Sequence, residues 1–376
     1  MKLREISIKK FRSIEDLHLS FEDALGAVQP LTVLAGPNGC GKTSVLFAII
    51  QTLRGLMGYR TDDVPEPGDY DIHRGKNGDF FAKVAPSVSV KLNLEFEEDE
   101  LMAIKSVFDD TQELHPDQKL PAWGGKTAQV EWKYPPALGP NGERRPTWYV
   151  DSVAPWPAMH WFKGRLYAIQ GWRHRMLKDP NLIDKVGGPM LFPQDRSLKH
   201  RVTGSGSKAE SEQETSVWEI LRDIGQKATS PQIVGEGIDA SFQQQAQKWE
   251  KRIQLQFNHV CSPKEYLGFV YPPNDPSGAP YFKDGDAYYP LSMASSGEQV
   301  VLEYITRLTF PRPMNRGLIL IDEPEVHLHP GWVRQLYQAL PKFGEGNQFI
   351  VTTHSAELRA MAAEDGLLVE LGDLQH

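Results

Sequence analysis

The chain has 376 residues, and its 41 basic and 49 acidic side chains give a formal net charge of −8. This length suits about two to three compact units or one large α/β domain with insertions, and 40% apolar residues are enough for a buried core. No run of about 18 apolar residues occurs and the start of the chain lacks a hydrophobic signal region, so we expect neither a membrane span nor a secretory leader.

Apolar periodicity predicts the elements in chain order. Strands are predicted at residues 3–8, 31–34, 87–96, 129–134 and 147–150, with weaker strand candidates at 165–169 and 190–192. Helices are predicted at 44–56, 217–227, 240–257, 298–308 and 332–340, a hairpin at 266–271 with 281–289, and buried strands at 317–321 and 348–352. Stretches rich in Gly, Pro, Ser or Asp predict loops at 59–79, 135–146 and 203–216, the last of them mobile or disordered. The β-turn-α order near the start and the β-α-β order near the end indicate an α/β sheet.

Charge and tryptophan are unevenly distributed. Residues 160–208 hold ten Lys/Arg and three Asp, a net charge of +7, which leaves −15 on the rest of the chain. A solvated basic face would explain this excess; the alternative is a site for phosphate, nucleic acid or an acidic partner. Six of the nine tryptophans lie between Trp123 and Trp172. We expect them to pack a β-rich subdomain, with an exposed partner surface as the alternative.

A phosphate-binding loop follows the strand at 31–34. Its sequence matches G-x-x-x-x-G-K-[ST] and reads Gly36-Pro37-Asn38-Gly39-Cys40-Gly41-Lys42-Thr43, with Ser44 opening the helix. The glycines let backbone N–H groups turn inward around an anion, and the helix N-terminus adds positive dipole. Lys42 is predicted to contact the β- and γ-phosphates of a nucleotide, and the Thr43 hydroxyl to bind Mg²⁺.

Two carboxylates end the strand at 317–321. In a phosphate-loop enzyme the first, Asp322, is positioned to hold Mg²⁺, and the second, Glu323, to act as a general base on the attacking water. Acidic residues at a strand end are common by themselves, but a phosphate loop in the same chain makes the assignment of these two roles stronger. His354 follows the last predicted strand, where it would contact the γ-phosphate or serve as a structural loop histidine.

A second candidate anion turn contains Ser295, Ser296 and Gly297 and opens the helix predicted at 298–308. One bound nucleotide needs only one such turn to contact its γ-phosphate. A second turn is explained if it serves the nucleotide of another subunit; the alternative is an ordinary capped helix.

Four motifs in this order, GPNGCGKT, LSMASSGEQ, LILIDEPEVHLHP and VTTHS, resemble the ABC-type ATPase heads of the RecF, SMC and OLD-nuclease lineage. The chain looks most like the "AAA family ATPase" branch of bacterial antiphage defence operons, and its opening IKKFRSIEDLHLSFE resembles the N-terminal strand-turn-strand of that branch. The resemblance covers residues 1–55 and 285–376. It implies an α/β P-loop NTPase fold: an ABC-type head with a mixed sheet core, an antiparallel β subdomain and a small helical lobe.

The resemblance also implies roles. Residues 36–43 would be Walker A, Asp322 the Walker B aspartate, Glu323 the catalytic base and His354 the switch histidine. Ser295 to Gly297 would be the signature that reaches the γ-phosphate of a partner subunit, in a head-to-head dimer around two ATP molecules with Mg²⁺. Residues 325–329 would be the D-loop region. The expected Q-loop glutamine is missing from 71–76, and neither a zinc-hook CxxC nor a long coiled coil appears.

We expect three regions: residues 1–200 and 266–376 as the two parts of the ATPase lobe, and 201–265 as the helical lobe. The expected function is a slow, cytoplasmic ATP-dependent switch that controls a separate effector, such as a nuclease or toxin, in antiphage defence. Because the chain ends at His376, we expect it to lack the nuclease domain of OLD proteins. The alternatives are a RecF-like repair ATPase that binds DNA through 160–208, and a scaffold that binds ATP without hydrolysing it.

Overall fold

The computed structural model describes residues 1–57, 88–123, 125–134, 148–153, 158–194, 217–229, 240–273, 278–310 and 314–372. Two compact units are present, and each combines segments that are distant in the chain. The first contains Met1–Phe192, Asn315–Glu323 and Glu345–His376; the second contains Pro193–Met314 and Pro324–Gly344. The predicted loops at 59–79, 135–146 and 203–216, and the Q-loop position at 71–76, lie outside the described residues. The three-region division stays a prediction.

A parallel sheet forms the centre of the first unit. Its strands are β3 (Leu31–Ala35), β7 (Pro189–Phe192), β11 (Leu318–Ile321), β12 (Gln348–Thr353) and β13 (Leu368–Glu370), in the order β13-β3-β12-β11-β7. Every residue of β3, β11 and β12 is buried. Such continuous burial is typical of parallel strands covered on both faces, and it confirms the strands predicted at 31–34, 317–321 and 348–352. Because the strands are parallel, the segments after β3, β11 and β12 emerge at one edge of the sheet.

An antiparallel sheet accompanies it in the first unit. Its order is β2-β1-β4-β5-β6, from β1 (Lys2–Phe11), β2 (Ile14–Ser20), β4 (Val88–Glu95), β5 (Thr127–Tyr134) and β6 (Trp148–Val150). Strand β4 alternates between buried and more exposed positions over its second half, as expected for a sheet with one face on the core. Strands β1 and β2 confirm the strand-turn-strand that the family resemblance implied.

Helices of the first unit are α1 (Lys42–Leu56), α2 (Glu98–Asp110), α3 (Met159–Phe162), α4 (Gly164–Arg173) and α9 (Ala356–Glu364). The strand candidate at 165–169 is therefore wrong, since these residues belong to α4. Tyr167, Ala168 and Gly171 are buried at helical spacing, and the Arg165 guanidinium reaches inward to donate to the Ile183 carbonyl at 2.5 Å. A short apolar run is compatible with the two-residue periodicity of a strand as well as with a helix. The tertiary packing of these residues selects the helix.

The tryptophans pack as expected. Trp132 and Trp148 stack between β5 and β6 with ring centroids 6.4 Å apart, and Trp123 contacts Trp161 at 5.3 Å. Trp132 and Trp161 are buried, while Trp123, Trp148 and Trp172 are partly buried against the same core. The prediction of a packing role is thus confirmed for these five; Trp156 lies outside the described residues.

The second unit combines helices with a small sheet. Its helices are α5 (Val217–Thr229), α6 (Ala240–Val260), α7 (Ser296–Thr309) and α8 (Pro330–Ala339). The antiparallel strands β8 (Glu265–Val270) and β9 (Ala279–Asp284) confirm the predicted hairpin, and β10 (Ala287–Pro290) adds a third strand after a turn at Gly285, where φ is +58°. Phe257, Tyr266 and Phe282 form an aromatic cluster between α6 and this sheet. Among the described residues of both units, the helices are too short or too polar to cross a membrane.

Candidate active site

The phosphate-binding loop lies between β3 and α1 in the first unit. Gly39 and Gly41 have φ values of +81° and +92°, which residues with a Cβ rarely adopt. Gly41 immediately precedes α1, and no side-chain cap bonds to the first turn of that helix. The N–H groups of this turn are therefore available to an anion, as the motif predicts. Pro37, Asn38 and Gly39 are exposed at the tip of the loop, whereas Cys40, Lys42 and Ser44 are buried.

Lys42 is turned into its own loop. Its Nζ donates to the carbonyl oxygens of Gly36 and Pro37 at 2.9 and 3.0 Å, and it lies 3.8 Å from Cys40 Sγ. The lysine side chain is only 4% exposed. The ammonium is thus already placed beside the turn that the motif assigns to phosphate.

Asp322 follows β11 and lies beside the loop. Its Oδ1 accepts a hydrogen bond from Thr43 Oγ1 at 3.0 Å and another from Thr352 Oγ1 at 2.6 Å. The structure therefore brings together the two predicted magnesium ligands, Thr43 and Asp322. Thr352 was not predicted as a site residue. The only signal for it was its position near the end of a buried strand.

Glu323 contacts the predicted switch histidine. His354 Nε2 lies 2.7 Å from Glu323 Oε1, and His354 Nδ1 lies 3.4 Å from Lys42 Nζ. A lysine ammonium has no lone pair, so in a hydrogen bond between these two groups Nδ1 accepts, and Nε2 is then the nitrogen that donates to Glu323. The His354 ring thus joins the predicted general base to the lysine of the phosphate loop.

The backbone around the two carboxylates is unusual. Glu323 has a φ of +47°, in the left-handed region that non-glycine residues seldom occupy. Its N–H donates to Thr352 Oγ1 at 3.0 Å. This turn points the carboxylate of Glu323 at His354 directly after the strand that delivers Asp322.

The predicted signature turn lies in the second unit, where Ser295 caps α7. The Glu298 N–H donates to Ser295 Oγ at 3.3 Å, and the Ser295 N–H donates back to Glu298 Oε2 at 2.6 Å, a reciprocal capping box. The capped-helix alternative is therefore correct as far as local structure goes. Ser295 and Ser296 are exposed and Gly297 is buried.

Glu298 is held from several directions. Lys264 Nζ donates to its Oε1 at 3.2 Å, and the Tyr289 hydroxyl donates to the same oxygen. Burial acts to raise the pKa of this carboxyl, but the bonds from Ser295, Tyr289 and Lys264 outweigh it and the pKa is lowered. Burial, and then the bond to Glu298, raise the pKa of Tyr289 to about 12. Nothing in the local sequence indicated Lys264 or Tyr289, because both contacts depend on the fold.

Gly297 is required by close packing. A Cβ at this position would lie 2.6 Å from the backbone carbonyl oxygen of His327, in the predicted D-loop region. At the end of that region, His329 caps α8 by accepting from the Gly331 N–H at 3.2 Å. Gly297 of the predicted signature and the backbone of the predicted D-loop region are therefore in contact within the second unit.

The basic segment is partly described. Arg173, His174, Arg175 and Lys178 are exposed at and after the end of α4, while Arg165 is buried. Lys178 pairs with Asp110 at 3.1 Å. The remainder of the segment, from 195 to 208, lies outside the described residues.

Two family models match the chain. One described as "AAA ATPase domain" matches residues 1–151, and one described as "AAA domain, putative AbiEii toxin, Type IV TA system" matches residues 207–360. The first contains the phosphate loop, and the second contains the predicted signature, Asp322, Glu323 and His354. Both matches support a relationship of the chain to the ABC-type ATPase lineage of RecF and the SMC heads.

Curated relatives match over short stretches. A protein named "Retron Ec83 probable ATPase" from Escherichia coli is 39% identical over 74 residues, which is 17% of this chain and 14% of that protein. The DNA replication and repair protein RecF of Bacillus cytotoxicus is 36% identical over 94 residues, 25% of this chain and 23% of RecF. The matches therefore span less than a quarter of each relative.

Solved structures show the same fold over nearly the whole chain. An Smc head bound to the C-winged helix domain of ScpA superposes with a TM-score of 0.51 at 15% identity, covering 96% of this chain and 91% of that one. An Smc head with an extended coiled coil, bound to the C-terminal domain of ScpA and derived from Pyrococcus furiosus, gives 0.50 at 14% with the same coverage. The predicted fold class, a P-loop ABC-type head, is confirmed.

Proposed function

We propose that this ATPase binds Mg²⁺-ATP at the loop 36–43, hydrolyses it slowly, and uses the nucleotide state to hold or release a separate effector. The observation that carries the proposal is the convergence of Lys42, Asp322, Glu323 and His354 at one edge of the parallel sheet. Three separate segments contribute these side chains, and they meet only through the fold.

The chain's own residues have distinct tasks in this reaction. The N–H groups of the loop and the first turn of α1 bind the phosphates, and Lys42 exchanges its carbonyl contacts for phosphate oxygens. Glu323 accepts a proton from the attacking water at Oε1 or Oε2. His354 holds the Glu323 carboxylate in place through Nε2.

The residues present fit a magnesium ion. A hydroxyl oxygen of Thr43 and a carboxylate oxygen of Asp322 are the hard ligands that Mg²⁺ prefers, and they lie 3.0 Å apart beside the phosphate loop. When bound, the ion neutralises charge on the β- and γ-phosphate oxygens.

The test compares wild type with Glu323→Gln and Lys42→Ala in steady-state phosphate release and in nucleotide binding. Glu323→Gln should keep its ATP affinity and lose roughly 10²- to 10⁴-fold in turnover, because the amide cannot take the proton. Lys42→Ala should lose ATP binding, because the phosphate charge is left without its buried counter-charge. Normal turnover in Glu323→Gln, or normal affinity in Lys42→Ala, contradicts the assignment; ATP binding by wild type without turnover would favour the scaffold alternative.

The signature supports a composite site. A second phosphate-binding turn at Ser295 to Gly297 is explained by a head-to-head dimer in which each signature faces the ATP of the partner. The setting in antiphage defence, with a nuclease or toxin as the effector, rests on the family resemblance together with the retron ATPase and the toxin-system family model.

A second candidate function is DNA binding of the RecF kind. The exposed basic side chains between Arg173 and Lys178 and the partial match to RecF favour it. It predicts that the logarithm of the DNA association constant falls linearly with the logarithm of the salt concentration. The slope of this line should be smaller in Arg175→Ala and in Lys178→Ala. Absence of a gel shift at moderate salt, with an ATPase rate that ignores DNA, would contradict it.

A further inference from the structure

Thr352 lies near the end of β12, in register beyond the pair Ile321↔Val351 and thus beside the point where β11 delivers its carboxylates. Its side chain is fully buried. In the chain order the residue directly precedes the pair Thr353-His354, so a strand-end position next to the predicted switch histidine is occupied by a hydroxyl. Thr352 has no role among those proposed for the other residues of this site.

The Thr352 hydroxyl is used in both directions. It donates its proton to Asp322 Oδ1 at 2.6 Å and accepts the backbone N–H of Glu323 at 3.0 Å. The Asp322 oxygen that receives this proton also accepts from Thr43 Oγ1. One hydroxyl on β12 thereby fixes the rotation of the Asp322 carboxylate and the backbone of the following residue.

The bond to the Glu323 N–H has a specific consequence. Glu323 adopts a φ of +47°, a conformation that persists only where the surroundings hold it. The acceptor on Thr352 is positioned to hold it, because it satisfies a buried N–H that would otherwise lose its partner. A change in this turn would move the Glu323 carboxylate away from His354 Nε2, to which it is bonded at 2.7 Å.

We propose that Thr352 is a positioning residue that sets the orientation of Asp322 and Glu323 together, and so couples the predicted magnesium ligand to the predicted general base. This inference rests on the proposed ATP hydrolysis at the same site. Thr352 touches no reacting atom. Its contribution is to geometry, and the hydroxyl, not the shape of the side chain, supplies it.

The variants are Thr352→Val, which keeps the branched shape without the hydroxyl, and Thr352→Ser, which keeps the hydroxyl. Thr32→Val is the matched control, since Thr32 is also fully buried in this parallel sheet but its hydroxyl faces Gln29. Thr352→Val should lower kcat about 10- to 100-fold, with KM for ATP changed less than about threefold, and should raise the Mg²⁺ concentration for half-maximal rate. Thr352→Ser should recover kcat to within about threefold of wild type, and Thr32→Val should match wild type.

A double-mutant cycle separates positioning from general loss of stability. In the Glu323→Gln background at saturating Mg²⁺, Thr352→Val should cause little further loss of kcat, because the general base it positions is already absent. A full additional loss there, equal rates for Thr352→Ser and Thr352→Val, or a wild-type rate in Thr352→Val, would each overturn the inference. If Thr352→Val does not fold, Thr352→Ala takes its place in the same comparison. Failure of the proposed function is distinct, since wild type would then show no turnover sensitive to Glu323→Gln.

Discussion

The side chain of His354 contacts two of the predicted functional groups of this site. Its two ring nitrogens face groups of opposite character, Glu323 Oε1 at Nε2 and the Lys42 ammonium at Nδ1. With the Lys42 ammonium as donor, Nδ1 is the accepting nitrogen, and Nε2 is the nitrogen that faces the carboxylate. In the described chain the histidine thus connects the residue proposed to bind phosphate with the residue proposed to activate water.

Replacing His354 by Ala should leave nucleotide affinity within a few-fold of wild type and slow turnover by about 10- to 100-fold, because Glu323 loses the donor that orients it. His18→Ala is the control, since His18 is a surface histidine bonded to Ser7. Binding titrations and single-turnover hydrolysis make the measurement. Unchanged single-turnover rates in His354→Ala would show that the contact with Glu323 has no part in the reaction.

At the scale of elements, helix starts and strand ends position the functional groups. Helix α1 begins at the phosphate loop, and α7 begins at the predicted signature. Strands β11 and β12 end directly before Asp322 and His354, respectively. The start of α7 is the more elaborate, because Ser295, Lys264 and Tyr289 all bond to the buried Glu298. A helix start held in this way presents its exposed serines rigidly.

Gly297→Ala tests this rigidity. The added Cβ would lie 2.6 Å from the His327 carbonyl oxygen, a backbone atom that cannot move by itself. We expect a loss of about 1–3 kcal/mol in the free energy of unfolding and a larger proportional loss of ATPase activity. Gly125→Ala is the control, because a Cβ there meets nothing within 4 Å. Equal stability and activity in both variants would contradict the close contact.

A buried histidine in the first unit predicts acid sensitivity. His160 is fully buried and its Nδ1 lies 2.8 Å from the Tyr167 hydroxyl. Burial, with smaller effects from the Lys163 charge and His115, lowers the pKa of His160 to about 4. The unfolded chain, with a histidine pKa near 6.5, binds the proton more readily, so stability should fall as pH drops from about 6.5 to 4, by up to roughly 3 kcal/mol.

Denaturant unfolding at pH 7 and pH 5 measures this dependence, with His160→Phe as the comparison. The variant removes the titrating ring and should lose less stability on acidification than wild type does. An identical pH dependence in the two proteins would assign the acid sensitivity to other groups.

At the scale of the whole molecule, the proposed mechanism requires more than one copy. The signature is explained if it binds the nucleotide of a partner. Glu323→Gln should therefore gain mass in Mg²⁺-ATP, consistent with a dimer or a larger assembly. Light scattering with and without nucleotide makes the measurement. A constant monomer mass would argue against composite sites and favour a nucleotide-binding scaffold.

The sequence by itself determined the motifs whose chemistry is local. The phosphate loop depends on glycine backbone freedom and on the helix that follows it. The strands at 31–34, 317–321 and 348–352 are short, largely apolar or β-branched runs that suit buried parallel strands. The family resemblance added the order of the motifs and the head fold. Short ambiguous runs were less reliable, as the helix α4 at the predicted strand 165–169 shows.

Tertiary structure decided everything that depends on residues distant in the chain. Three sets of contacts join segments that no local sequence pattern links. They are the contact of His354 with Glu323, the hydrogen bonds of the Thr352 hydroxyl with Asp322 and with the Glu323 backbone, and the bond of Lys264 to Glu298. The periodicity of apolar residues indicates which face of a helix or strand is buried. It does not indicate which side chains of other elements contact that face. Those partners are set by sheet order and register, and these are properties of the folded chain as a whole.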